Sequence, residues 1–337
     1  MNKAYIYPLS ARYKEGGHNP YLENFMDSIS SDFEFVNRYT PSSSGVFNIV
    51  NYILSVKYVF FHWPEDIPER KFGLIQTIGF FILIPILKLR KIKIIYIVHN
   101  KISHTNKRYL VKKNISKTLI RQSFLIITHS KEGVSFINSL AKRNKSIFCF
   151  PHPVDNEKVF MKTPKEIDIL IWGNIAPYKG VHRFLEVLQQ RGKDTDWNIV
   201  IAGKVSSKSY FDQLKTFNLK NLKILNEFLD NSRLNDLISK SKIVLFPYHK
   251  KSILSSGAFA RTIVFPVEII GPDCGAFLDF SYLNNVNTFQ DESLILDLVE
   301  EKLFSNTKIE HEKLAEIAKK YSWKSFGEAF ISEVLPN

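Results

Sequence analysis

Cysteine is nearly missing from this 337-residue chain: only Cys149 and Cys274 occur, and no CxxC spacing is present. A disulfide framework is thereby excluded, and a structural zinc site is disfavoured. No GxGxxG or Walker A run exists, which weakens ordinary dinucleotide and P-loop readings. The opening MNKAYIYPLSARY has no apolar signal core and reads as a strand followed by a polar loop, so cytoplasm is the expected compartment. Solenoid-period repeats and low-complexity segments are absent too. Acids are scarce in one region. Between Lys88 and Lys145 fifteen Lys or Arg accompany a single acid, Glu132, so nearly all of the +13 net charge sits in one half. Such a one-sided basic face suits a polyanion, either an anionic membrane surface or nucleic acid.

What is present fits two domains. The length exceeds one ordinary doubly wound domain, and 45% apolar with 23% charged residues marks a globular chain. Short β-rich apolar runs alternate with helical stretches, the pattern of βαβ units on a parallel sheet. The first half gives strands at 4–9, 33–39, 58–63, 93–100, 125–130 and 146–153. The second gives 168–174, 198–204, 222–228, 242–248 and 262–270. Helices at 181–192, 232–241 and 292–304 are among those filling the gaps. A polar connector near Pro151–Lys165 divides two Rossmann-like halves, 1–153 and 154–320, and a last amphipathic helix at 321–337 is expected to cross back to the first. The apolar run Phe72–Leu89 contains Gln76 and Pro85 and leads at once into a strand. It reads as a packed helix with some surface left for a lipid interface rather than as a membrane span.

Ligands of open α/β sheets bind beyond the carboxyl ends of the strands. In the first half those ends carry His62, His99, His129 with Ser130, and His152; the loop after the first strand carries Arg12, Glu15, Gly16, Gly17 and His18. In the second half they carry Gly173-Asn174, Gly203-Lys204 and Pro247-Tyr248. Pro177-Tyr178-Lys179-Gly180 opens a helix, and Ser255-Ser256-Gly257 precedes another. A lysine, small residues and backbone amides on one rim suit a diphosphate. A metal site would need tighter convergence and a carboxylate partner, so none is expected. Asp194-Thr195-Asp196 sits at the amino end of a strand and reads as a turn.

IWGNIAPYKGVHRFLEVL, IVIAGK, LNDLISKSKIVLFPY and SSGAF follow one another in an order and spacing that resembles GT-B glycosyltransferases, especially the retaining family-four (group 1) bacterial polysaccharide enzymes. His-Trp-Pro, His-Asn and Pro-His in the first half and Tyr321-Ser322-Trp323 near the end are similar to a subset of them. The resemblance covers nearly the whole chain. It implies two Rossmann-like domains facing across a cleft and a UDP- or GDP-linked sugar donor, with no cofactor. It implies that Lys179 binds the diphosphate, that Gly173 lets it approach, and that Phe228 and Leu229 flank the nucleobase. Ser256 and Gly257 would set a helix N-terminus under the phosphates. Asn174, Gly203, Tyr248, Ser255 and Thr262 complete the expected donor set. His99 would touch the donor sugar; Gly16, Gly17, His62, His104 and Ser130 would lie on the acceptor side. Two departures stand out. The family's arginine beside the first glycine is Asn174, and its two glutamates fall at Leu254 and Thr262.

The expected chemistry is metal-independent transfer to a saccharide or lipid-linked saccharide, with Lys179 and a helix N-terminus stabilising the leaving diphosphate. The resemblance implies retention. Inversion would need a base, with Glu15 or His18 foremost and His62 and His104 behind them. The helix around 106–123, with Lys107, Arg108, Lys112, Lys113, Lys117 and Arg121, is expected to meet the anionic inner face of the membrane. Two other readings stay open: an inactive nucleotide-sugar binder, given the missing glutamates, and a nucleic-acid-binding protein using the basic face. The second lacks a helix-turn-helix, RNP or zinc signature, so no nucleic-acid partner is expected.

Overall fold

The computed structural model describes every residue except 10–19, 102–106, 143–145, 155–162, 192–195, 252, 306 and 336–337. The chain forms two units, Met1–Pro153 with Trp323–Asn337, and Val154–Ser322.

The first unit is a six-stranded sheet of β1 (Asn2–Tyr7), β2 (Phe33–Phe35), β3 (Tyr58–His62), β4 (Lys93–Val98), β5 (Leu125–Thr128) and β6 (Ile147–Cys149). Its order is β2-β1-β3-β4-β5-β6, parallel throughout. Between the strands run α1 (Tyr21–Ser28), α2 (Gly73–Leu89), α3 (Tyr109–Gln122) and α4 (Lys131–Leu140). Strands β3, β4 and β5 are almost wholly buried, which is why their sequences read as unbroken apolar runs instead of alternating ones.

The second unit repeats the plan with β7 (Ile167–Trp172), β8 (Ile199–Ala202), β9 (Leu222–Leu225), β10 (Ser241–Leu245), β11 (Glu268–Pro272) and β12 (Val286–Phe289). Its order, β12-β11-β10-β7-β8-β9, is again parallel. The helices are α5 (Val181–Gln190), α6 (Lys208–Lys215), α7 (Asn231–Ser239), α8 (Gly257–Thr262), α9 (Gly275–Asp279), α10 (Ile295–Leu303) and α11 (His311–Lys320). The last helix, α12 (Trp323–Val334), belongs to the first unit, where Phe326, Phe330 and Val334 join its core with Phe25, Phe33 and Phe60. Within the second unit, its first and last residues lie side by side: the Val154 amide donates to the Tyr321 carbonyl at 2.9 Å, and Val154 bridges Ser322.

Several elements differ from the sequence reading. The strand expected at 262–270 begins only at Glu268, because Thr262 ends α8 and Pro266 has no amide to donate to a ladder. Residues 262–265 are fully buried, so their hydrophobicity carried no period to separate helix from strand. The strand expected at 33–39 stops at Phe35. The Asn37 side chain continues the pairing instead: its Oδ1 accepts from Ile6 N at 3.1 Å and its Nδ2 donates to Ile6 O at 2.9 Å. The strand at 58–63 ends at His62, since Trp63 adopts a left-handed φ of 46°. The runs at 146–153 and 222–228 shrink to Ile147–Cys149 and Leu222–Leu225.

Candidate active site

In the second unit the strand ends build a small polar rim. Gly173 follows β7 at φ +113°, and Gly203 follows β8 at φ +138°. Only glycine takes such angles freely. A Cβ on Gly203 would stand 1.8 Å from the Gly173 carbonyl oxygen, so the two strand ends meet backbone to backbone. Pro177–Lys179 then forms a single 3-10 turn, and α5 starts after Gly180. This turn delivers the Lys179 ammonium to the rim. Its Nζ lies 5.2 Å from the centre of the Tyr248 ring and 3.3 Å from where a Gly173 Cβ would be, with Ala258 of α8 on the far side of that position. Desolvation lowers the Lys179 pKa below the ordinary lysine value. Among the described residues no carboxylate pairs with it. Beneath it the Tyr248 hydroxyl is buried without a hydrogen-bond partner, although Ser256 is its neighbour, and burial raises its pKa. The Lys179 ammonium therefore stands at Gly173 with, among the described residues, no carboxylate to offset its charge.

The rest of the rim is graded in exposure. Asn174 is exposed, Ser255 half-buried, and Leu229 half-buried against the core. Phe228, just past β9, keeps 67% of its surface in solvent. Ser256 caps α8, its Oγ accepting from Phe259 N at 3.3 Å. That helix has only six residues, so what it offers a phosphate is a pair of free amides rather than a developed dipole. Thr262, expected in the donor set, ends α8. It is fully buried, donates to Ala258 O at 2.8 Å and accepts from Trp172 Nε1 at 3.1 Å, so it fastens α8 to β7. Leu254 is buried as well. Both positions where carboxylates were sought are thus interior. Of the acidic triplet, Asp196 pairs with Lys220 at 3.2 Å; Asp194 and Thr195 lie outside the described residues.

In the first unit the strand-end histidines gather around Tyr21, which the sequence did not single out. The Tyr21 ring stands edge-on to His99 at 4.8 Å, His152 at 5.2 Å and His129 at 5.6 Å. His129 Nδ1–H donates to the Phe150 carbonyl at 2.8 Å, which leaves Nε2 to accept from the Tyr21 hydroxyl at 2.6 Å. His62 Nδ1 and His99 Nε2 are 3.1 Å apart, and His99 stacks on Trp63 at 4.2 Å. Burial lowers the pKa of His62 and His99 far below the usual range and that of His129 to about 3. These imidazoles are neutral. His62, expected on the acceptor side, is completely buried, whereas His99 keeps 7% exposure. Ser130, also expected there, is buried and caps α4, its Oγ accepting from Gly133 N at 3.1 Å. Glu15, Gly16, Gly17, His18 and His104 lie outside the described residues. Among the described residues no group of three or more His, Cys, Asp or Glu is placed to hold a metal ion, and no helix is long and apolar enough to cross a membrane.

Comparison with known proteins places this geometry. Residues 155–264 match the family model of group 1 glycosyl transferases. No curated protein matches the chain in sequence. Among solved structures it is similar to HepE of Anabaena in complex with UDP-glucose, at 10% identity over 99% of each chain with TM-score 0.68. It is also similar to sucrose-phosphate synthase of Thermosynechococcus elongatus, at 10% identity over 98% of this chain and 97% of that one, TM-score 0.72. A glycosyltransferase of Rickettsia africae matches at 12% identity over 100% and 99%, TM-score 0.60. With the GT-B fold along its whole length and a group 1 segment in its second unit, the chain is a glycosyltransferase.

Proposed function

We propose that this enzyme moves a sugar from a UDP- or GDP-linked donor to a saccharide or lipid-linked saccharide in cell-surface polysaccharide synthesis, with retention and without a metal. One observation carries the proposal: the desolvated Lys179 ammonium, without a counter-ion among the described residues, next to the backbone of Gly173. An uncompensated cation is costly to hold in a protein, and a diphosphate is the anion whose charge and size suit it. In the transfer step the anomeric C–O bond to the diphosphate breaks as the acceptor hydroxyl oxygen bonds to the same face of that carbon. The acceptor's proton passes to the departing phosphate oxygen, and Lys179 with the amides near Gly257 holds the charge that develops there. Phe228 offers an exposed ring for the nucleobase.

The test is calorimetric titration of UDP, UDP-sugars and GDP-sugars with and without a chelator, followed by determination of the product anomer. Binding that survives chelation and a product keeping the donor configuration are expected; strict dependence on added divalent metal, or an inverted product, would overturn the reading. The absence of carboxylates at Leu254 and Thr262 favours a second reading, a nucleotide-sugar binder without turnover. Tight binding with neither transfer nor hydrolysis for any donor would select it.

The anionic inner leaflet is the proposed workplace. Lys107, just ahead of α3, and Arg121, in its last turn, are exposed, while Lys113 and Lys117 on α3 are half-buried. Lys112 is buried and paired with Glu69, and Arg108 donates to the Pro68 carbonyl, so the basic face is narrower than the sequence suggested.

A further inference from the structure

Helix α2 is apolar on both sides, yet only one side is covered. Phe80, Leu83, Ile84 and Leu87 pack inward. On the opposite side Phe72, Ile75, Ile78, Ile82, Ile86 and Leu89 are exposed, Ile78 by 63% and Leu89 by 84%. They recur every three or four residues and form one stripe about 25 Å long. A solvent-facing helix ordinarily carries charge on that side; between Lys71 and Lys88 there is none. The 3-10 helix Gly45–Tyr52 widens the stripe, because the Phe47 ring lies where a Gly79 Cβ would be, within 2.4 Å, and is itself partly exposed. A continuous apolar surface of this kind marks an interaction site rather than scattered surface residues.

The charges around it select the occupant. Lys71 precedes the stripe, and Lys88, Arg90 and Lys91 follow it, all exposed. No acid occurs from Lys71 through Lys131. Helix α3 runs beside α2: both begin against the Pro68 carbonyl, and at the other end Lys88 Nζ donates to Gln122 Oε1 at 2.7 Å. Arg121, exposed in its last turn beside Gln122, therefore adds a cation next to Lys88 at the end of the stripe. A second copy of the chain would set one basic collar against another, whereas an anionic bilayer answers both the apolar stripe and its cationic border.

We infer that α2 is an interfacial anchor, lying in the plane of an anionic bilayer with the Phe72–Leu89 stripe at the acyl boundary and the flanking cations on lipid phosphates. The inference rests on the reading of the enzyme as one that works at a membrane, and it makes the attachment apolar first and electrostatic second.

The full chain, an Ile78→Glu/Ile82→Glu variant and the milder Ile78→Ser/Ile82→Ser variant are sedimented with vesicles of phosphatidylcholine and phosphatidylglycerol. This is done at about 0.1 M and about 1 M salt, where charge screening shortens from about 10 to about 3 Å. The unaltered chain is expected to stay bound at high salt. The glutamate variant should lose about a hundredfold in partitioning at both salt levels, since each buried apolar side chain is worth roughly tenfold, and the serine variant should fall in the same direction. Phe304→Glu, at an exposed apolar residue of the second unit, should bind as the unaltered chain does. Complete release by high salt overturns the anchor, as does undiminished binding of the variants. A dimer in light scattering that the variants abolish, with no vesicle binding, assigns the stripe to a second copy and overturns it too. UDP binding without vesicles is read in parallel. Its loss with vesicle binding intact removes the transferase reading and spares the anchor, and the reverse removes the anchor alone.

Discussion

Lys179 is a residue the fold supports at its own expense. Desolvation disfavours its charged form and, among the described residues, no carboxylate offsets that cost, so a neutral side chain of similar length should relieve the free enzyme. We expect Lys179→Met to leave unliganded stability unchanged or to raise it by up to about 1 kcal/mol. The same change should weaken UDP binding by roughly 10- to 100-fold, the worth of a charge-assisted hydrogen bond. Thermal melts with and without UDP check both halves; a large loss of unliganded stability would mean that Lys179 is chiefly structural. Phe228 makes the complementary case. With its ring in solvent, Phe228→Ala should cost little stability and lower UDP affinity by about tenfold, read by calorimetry. Lys179 was legible in the sequence, because a glycine at a strand end followed by a lysine-glycine turn is a local pattern, whereas Phe228 was named only through the family resemblance. Tyr21 was not legible. Its partners His62, His99, His129 and His152 come from four separate strand ends, and no local spacing announces that they converge.

At the scale of elements, the meeting of β7 and β8 is the tightest joint near the site. Gly203→Ala would drive a methyl group into the Gly173 carbonyl and force a left-handed φ on a side chain. We expect a loss of about 2–4 kcal/mol, measured by urea unfolding, with donor binding lost alongside. The ends of β3, β4 and β5 carry a different sensitivity. His62, His99 and His129 are held neutral by burial, whereas unfolded imidazoles titrate near 6.5. The unfolded chain thus binds more protons below that value, and stability falls as pH drops through the window down to about 3 for His129. Each histidine contributes up to about 1.4 kcal/mol per pH unit, so urea melts of the first unit should weaken steeply from about pH 6.5 downward. A flat profile there would contradict the buried, neutral assignment. Most strands could be read from composition because both faces of each sheet are covered. The misread 262–265 run shows the limit: where everything is buried, helix and strand look alike until Pro266 and the Thr262 hydroxyl decide.

At the scale of the molecule, the first unit is closed by the last helix of the chain. Phe326, Phe330 and Val334 are buried in its core, and Gly327 approaches α1 so closely that a Cβ would stand 1.9 Å from the Ser28 carbonyl. Each buried side chain is worth roughly 1.5–3 kcal/mol, and together they approach the about 5–15 kcal/mol by which a domain is stable. Removing residues 323–337 should therefore unfold the first unit while sparing the second. Limited proteolysis is expected to degrade 1–153 and leave a resistant 154–322 core; equal resistance of both would show α12 to be dispensable. The pairing of Val154 with Tyr321 and Ser322 carries a further consequence. A module whose two ends touch is topologically an insert. Cutting it out or exchanging it between scaffolds would stretch neither junction, so under the donor site proposed for this unit, sugar preference should travel with it as a single cassette.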